Sequence, residues 1–324
     1  MSVRSADTIF SPLDAAWALD EGTYSGALKQ NMVWLCGLVP YEQAATVMAR
    51  IGKRQVSASS LWRMAQQAGR HLDQPTAGEP LDALHTASIE PETKLLSMDG
   101  GMVNIFGEGW KELKVALVGC VVEEVARSYA EPQVHTQVLR YSAVLGDVPT
   151  FTPVLLDLAR ATRFGEATRS CITADGAPWI WNLADAYFPD SVQILDWYHA
   201  RQHLSEAAQA LFPDQPSAAS PWLLSHTDAL FEGHIGPIVA ELERADLAET
   251  ATYFRTHQTR MAYAHFQDDA LPIGSGSVES EVKQFKHRLD GPGMSWSRPG
   301  IDNMILIRAA VLDGSFDARW FQAA

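Results

Sequence analysis

The stretch Lys94-Leu95-Leu96-Ser97-Met98-Asp99-Gly100-Gly101-Met102 limits the folds open to this chain more than any other. Apolar residues run straight into a carboxylate and two glycines follow at once, which reads as a short buried strand that stops at Asp99 and turns. The same grammar returns in Cys171-Ile172-Thr173-Ala174-Asp175-Gly176-Ala177. Two strand-end aspartates in a chain that mixes helices and strands point to a divalent cation held at a sheet edge, because hard cations take oxygen ligands. A third acid is then needed from elsewhere in the chain.

With 324 residues, 47% of them hydrophobic, the chain can bury a large core, and its length suggests about two domains. The first twenty residues carry Arg4, Asp7, Asp14 and Asp20, so no signal peptide is read there. The longest apolar runs, residues 32–39 and 115–122, fall far short of the roughly 20 residues that span a bilayer. The expectation is a cytoplasmic protein with no membrane partner. Cys36, Cys120 and Cys171 lie in separate apolar settings without paired spacing and read as buried thiols, not as a disulfide framework or a zinc knuckle.

A net charge of −14 argues against a protein that coats nucleic acid over its whole surface. The charge is uneven, however. Residues 43–72 hold Arg50, Lys53, Arg54, Arg63 and Arg70 and no acid, whereas residues 205–270 hold ten acids against Arg244, Arg255 and Arg260. Any contact with nucleic acid is therefore expected to be local.

Taken in order, residues 1–25 are turn-rich, with a helix start at Ser11-Pro12-Leu13-Asp14, and residues 27–72 follow helical spacing. A turn at Gly52-Lys53-Arg54 precedes a second helix for which Ser57 is the N-cap. This basic pair resembles a helix-turn-helix, and a DNA contact through Arg50, Lys53, Arg54 and Arg63 stands beside a plain helical packing role. Residues 73–93, with Pro75, Gly78, Pro80 and Pro91, read as a linker. Strands are predicted at 95–98, 113–122 and 134–144, then a helix at 152–163, a strand at Ile172, a helix at 178–187 and a strand at 192–195 that ends at Asp196.

Three antiparallel strands followed by helix, strand, helix, strand is the order of a ribonuclease H-like sheet, in which the first and fourth strands are neighbours. Asp99 and Asp175 are then expected to meet. From 199 to about 270 the pattern is helical, broken near 213–216 and 233–237, and reads as an all-α insertion. Finally Gly274-Ser275-Gly276-Ser277 leads into a helix with Glu279 in its first turn, where a carboxylate favours the helix dipole and can face a metal. The fold expected is α/β: a ribonuclease H-like mixed sheet with an all-α insertion and an N-terminal helical region. Its parts are a helical region over 1–90, the core over 91–200, the insertion over 201–272, and the end of the core with the catalytic Glu and a C-terminal helix over 273–324.

Six blocks carry a family resemblance: Ser97-Met98-Asp99-Gly100-Gly101, Trp110-Lys111-Glu112-Leu113-Lys114, Ala174-Asp175-Gly176-Ala177-Pro178-Trp179-Ile180, Ile194-Leu195-Asp196-Trp197-Tyr198-His199, Gly274-Ser275-Gly276-Ser277-Val278-Glu279-Ser280 and Gly291-Pro292-Gly293-Met294-Ser295-Trp296. Together, over residues 10–320, they resemble the bacterial insertion-sequence transposases of the ISKra type, DDE enzymes allied to the Mutator-like elements. The resemblance implies an acidic triad of Asp99, Asp175 and Glu279, with separations 175 − 99 = 76 and 279 − 175 = 104. It also implies a supporting motif at Asp196 and His199. Relatives commonly carry a cysteine-rich segment ahead of the region matching Phe10 to Leu13. This sequence starts without one, so a shortened or split product is among the expectations.

The implied chemistry is cleavage of transposon ends and strand transfer to target DNA with two Mg²⁺ or Mn²⁺ ions, Asp99 bridging them and Asp175 and Glu279 each holding one. The implied setting is a homodimer or higher oligomer on DNA, at the nucleoid of a bacterial cytoplasm. Asp196, His199 and His203 are also spaced like a zinc site, although no fourth ligand is evident. Lys283, Lys286, His287 and Arg288 are candidates for phosphate contacts or a solvated helix face. Trp296 stands equally as a base-stacking residue or as core. Two other classes remain open: a truncated or repurposed, catalytically silent DNA-binding protein, and a non-transposing metal-dependent nuclease.

Overall fold

The computed structural model describes residues 24–70, 72, 92–124, 133–274 and 278–323. The helix start expected near Ser11, nearly all of the proposed linker and the Ser277 helix start lie outside them. The chain forms two compact units, one from the described residues up to 72 together with those from 298 on, the other from the residues between. Among the described residues no helix is long and apolar enough to cross a membrane.

In the first unit, helices span Gly26–Leu38, Tyr41–Arg50 and Ala58–Gly69. The expected cap is present: the Ser57 hydroxyl accepts from the Ser60 N–H at 3.1 Å, which satisfies one of the free donors at a helix start. Lys53 takes a left-handed conformation (φ 52°) in the turn before it. The helix Arg298–Leu312 packs against both Gly26–Leu38 and Ala58–Gly69. Chain order had assigned this helix to the end of the sheet core. Its contacts instead close the N-terminal bundle, with Arg308 donating to the Gly37 carbonyl at 2.7 Å and Asn303 to Gln66 Oε1 at 2.8 Å.

The second unit is mixed α/β and holds one five-stranded sheet in the order β3-β2-β1-β4-β5. Strands β1 (Thr93–Ile105), β2 (Gly109–Glu124) and β3 (Gln133–Leu145) form an antiparallel meander, while β4 (Arg169–Ala174) runs parallel to β1 and β5 (Val192–Leu195) parallel to β4. The first strand does not stop at Asp99. It continues through both glycines to Ile105, because β2 pairs with it along its whole length, whereas β4 pairs only from Thr93 to Ser97. Asp99 therefore stands where the parallel partner ends rather than where the strand ends.

Helices cover both faces. Phe285, on the helix Val278–His287, stacks on Tyr141 of β3 with ring centroids 5.6 Å apart. On the opposite face the helix Val148–Ala161 packs on β2 and β3, and its Phe151 meets Trp179 edge-on at 5.7 Å. After β5 only helical elements follow from Trp197 to Asp268. The chain then returns to the end of β5, where the Trp197 N–H donates to the Ile273 carbonyl at 3.0 Å.

Candidate functional site

Register brings the two acid-glycine motifs together. Ser97 and Thr173 are the last paired residues of β1 and β4, and Asp99 and Asp175 each follow two positions later. Side chains alternate along a strand, so both carboxylates share the face of Ser97 and Thr173. They feel one another: burial raises the Asp175 pKa, an N–H bond from Ala177 lowers it, the negative charge of Asp99 raises it, and His199 and Lys286 lower it. The Ala177 N–H reaches Asp175 Oδ1 at 2.9 Å and fixes the turn into the helix Pro178–Tyr187.

The Asp99 carboxylate is already engaged with a cation. Lys286 Nζ lies 2.6 Å from Asp99 Oδ2 and 3.1 Å from the Gly100 carbonyl. Its route passes over Gly101, where a Cβ would lie 2.8 Å from Lys286 Cδ, so the second glycine of the motif makes room for the lysine stem. Oxygen ligands gathered around one positive charge, on a carboxylate whose side chain is 31% exposed, have the donor chemistry of a hard divalent cation. Glu279 falls in the first turn of the helix that carries Lys286, and its side chain lies outside the described residues. Among the described residues no group of three or more His, Cys, Asp or Glu side chains is placed to hold a metal ion.

Asp196 and His199 play different parts. Asp196 is 1% exposed, and its Oδ1 accepts from the N–H groups of Tyr198 (2.8 Å) and His199 (3.0 Å), capping the helix Trp197–Leu211. A carboxylate used in this way is a structural cap. His199 lies near enough to Asp175 to be among the groups that lower the pKa of its carboxyl. His203, the third member of the zinc-like spacing, packs at a tilt against Tyr253 with ring centroids 3.9 Å apart, and burial lowers its pKa.

Two expected DNA contacts are corrected. Trp296 is buried, its indole N–H donates to the Leu289 carbonyl at 2.8 Å, and its backbone bonds to Asn104 and Phe106 of the β1–β2 hairpin. Arg288 is 3% exposed, with its guanidinium 5.2 Å from the centre of the Trp296 ring. Both belong to the packing of the loop after the helix Val278–His287, where apolar burial and a cation–π contact take precedence over a free surface. Lys283 is exposed, as are Arg50, Lys53, Arg54 and Arg63 in the first unit.

The insertion brings residues to this site that the motifs did not announce. Tyr253 and His257, on the helix Ala248–His257, lie against Gly176, the residue after Asp175. Among the described residues the buried Tyr253 hydroxyl has no hydrogen-bond partner, and burial followed by the charges of Asp175 and Asp196 raises its pKa. The i, i+4 spacing of these two rings is the only sequence signal that could have paired them. Compared with known proteins, the chain matches no protein-family model and no curated protein.

Proposed function

We propose that the chain is a DDE transposase that cleaves transposon ends and transfers them to target DNA. The observation that carries the reading is the placement of Asp99 and Asp175, each two residues beyond the last shared rung of adjacent parallel strands. A meander followed by two parallel strands, in the order 3-2-1-4-5, fits the ribonuclease H-like sheet expected from the element sequence. Helices inserted between β5 and the Glu279 helix fit the same plan.

In this reading Asp99, Asp175 and Glu279 would hold two Mg²⁺ or Mn²⁺ ions. Such a pair supplies activation of an attacking hydroxyl and charge stabilisation at the leaving oxygen of a phosphodiester. The chain's own residues prepare that chemistry. Asp175, whose pKa is raised by burial first and by the nearby charge of Asp99 after it, favours any added positive charge. Lys286 neutralises Asp99 and is close enough to the carboxylates to turn to a substrate phosphate. Asp196 holds the helix that carries His199. The exposed cations Arg50, Lys53, Arg54 and Arg63, with Lys283, are the proposed DNA contacts, and a dimer or higher oligomer at the bacterial nucleoid, in the cytoplasm, is the proposed setting.

The test is a cleavage and strand-transfer assay on labelled DNA carrying the presumed terminal repeats, with Mg²⁺ or Mn²⁺, comparing the chain with Asp99→Asn. Metal-dependent joining that the variant loses is the expected result. DNA binding without cleavage would instead identify a catalytically silent DNA-binding protein, and cleavage without joining a non-transposing nuclease. Reversing the charge of Arg54 and Arg63 is expected to weaken binding to all sequences alike and flatten its salt dependence.

A further inference from the structure

The turn that carries Asp175 is held from outside the sheet. A Cβ on Gly176 would lie 2.5 Å from Tyr253 Cε2 and 3.2 Å from His257 Nε2, so the insertion helix sits closer to this backbone than any residue but glycine permits. The His257 ring edge thus lies directly against the Gly176 backbone. The two rings are locked in turn. His203, on the helix Trp197–Leu211, packs at a tilt against Tyr253 with ring centroids 3.9 Å apart, and the Trp181 ring centroid lies 6.3 Å from that of His257. Arg260 covers Trp181 at 4.5 Å, approaches His257 Nδ1 at 3.4 Å and donates to Gln193 of β5 at 2.7 Å.

We propose that Tyr253 and His257 are positioning residues for Asp175, acting through Gly176, so that the all-α insertion is a working part of the carboxylate site rather than an appendage. The inference rests on the reading of Asp175 as a ligand of a divalent cation. A carboxylate at a strand end has a free rotor and a mobile turn behind it, and the residues behind a ligand set both. A rigid pair of rings against Gly176 removes the turn's freedom before any cation arrives, which lowers the ordering cost of binding.

The test uses the full chain and Mn²⁺ itself, with affinity read from the electron paramagnetic resonance of free Mn²⁺, and with kcat and KM for DNA cleavage and the thermal midpoint measured in parallel. Gly176→Ala forces a methyl group into the Tyr253 ring. It is expected to weaken Mn²⁺ binding about ten-fold and to lower kcat with KM for DNA unchanged, since outer-shell supports of a metal site typically carry 10- to 100-fold effects. Tyr253→Leu removes the outer ring atoms that meet the methyl group, so adding it to Gly176→Ala is expected to restore part of the affinity, with His257 still in place against the turn. Should Gly176→Ala not fold, Tyr253→Leu with His257→Leu, which adds no atoms at residue 176, is expected to weaken Mn²⁺ binding several-fold at a temperature well below the variant's own thermal midpoint, where the chain is folded.

Wild-type Mn²⁺ affinity in Gly176→Ala, or a double variant no better than the single one, would overturn the inference. The same holds for unchanged affinity in the Tyr253→Leu, His257→Leu pair. A wild-type chain that binds Mn²⁺ but leaves DNA uncut defeats the transposase reading alone, and the positioning role then stands on the Mn²⁺ results.

Discussion

Lys286 holds Asp99 by its ammonium at 2.6 Å, from a helix that lies 187 residues further along the chain. The pair is partly buried, with the two side chains 17% and 31% exposed. A divalent cation at Asp99 has to displace this ammonium. Lys286→Met keeps the stem against Gly101 and removes the charge, so Mn²⁺ affinity is expected to rise about five-fold, the equivalent of the roughly 1 kcal/mol such a pair contributes. DNA affinity is expected to fall in the same variant. Calorimetric titration with Mn²⁺ measures the first effect, and an unchanged affinity would show that the ammonium does not compete.

The carboxylate of Asp175 is expected to cost stability at neutral pH in the metal-free protein. Its folded pKa is raised above the ordinary value of 3.8, by burial first and by the Ala177 bond and Asp99 in opposite directions after it. The sign follows: the stability contribution of this group is fully present below 3.8 and is lost as pH rises through the folded value. Asp175→Asn is therefore expected to raise the thermal midpoint at pH 7, with a gain that shrinks to nothing in acid. A midpoint that drops at pH 7 would reverse this view of the site.

His257 makes the opposite contribution. Burial, and then the Arg260 charge, push its pKa from 6.5 to about 4, so the ring is neutral in the fold at physiological pH. Stability from this group is fully present above 6.5 and is lost as pH falls towards 4. Urea unfolding at pH 7, 5.5 and 4.5 is expected to show the decline, and His257→Gln to flatten it.

Removing the chain from Arg298 onward is expected to unfold the first unit and spare the second. The helix Arg298–Leu312 buries Ile301, Met304, Ile305 and Ile307, each worth about 1.5–3 kcal/mol, in a small bundle that has little else to replace them. Limited proteolysis of the shortened chain checks this. Cleavage confined to residues before 73 is the expected pattern, whereas a protected N-terminal region would mean that its three described helices are stable alone.

Much of the sheet was legible because its signals are local. Apolar runs broken by Asp99-Gly100 and Asp175-Gly176 located both carboxylates, and Val192-Gln193-Ile194-Leu195 located the last strand to the residue. Ser57 declared its helix by its own hydroxyl. The extension of β1 to Ile105 was not legible, since two glycines read as a turn unless a neighbouring strand supplies hydrogen bonds on one side. Trp296 and Arg288 shared that difficulty, because an aromatic or a cation in a loop looks the same whether it faces solvent or a hairpin.

The sequence by itself determined where the acids stand, the order of the strands and of the helices between them, and the helical character of the insertion, all of which depend on neighbours within a few positions. Only the tertiary structure decided that Lys286 closes on Asp99, that Tyr253 and His257 clamp Gly176, and that the C-terminal helix joins the N-terminal bundle. Those contacts join residues tens to hundreds of positions apart, and they are fixed by which buried surfaces fit, a quantity that no local pattern encodes.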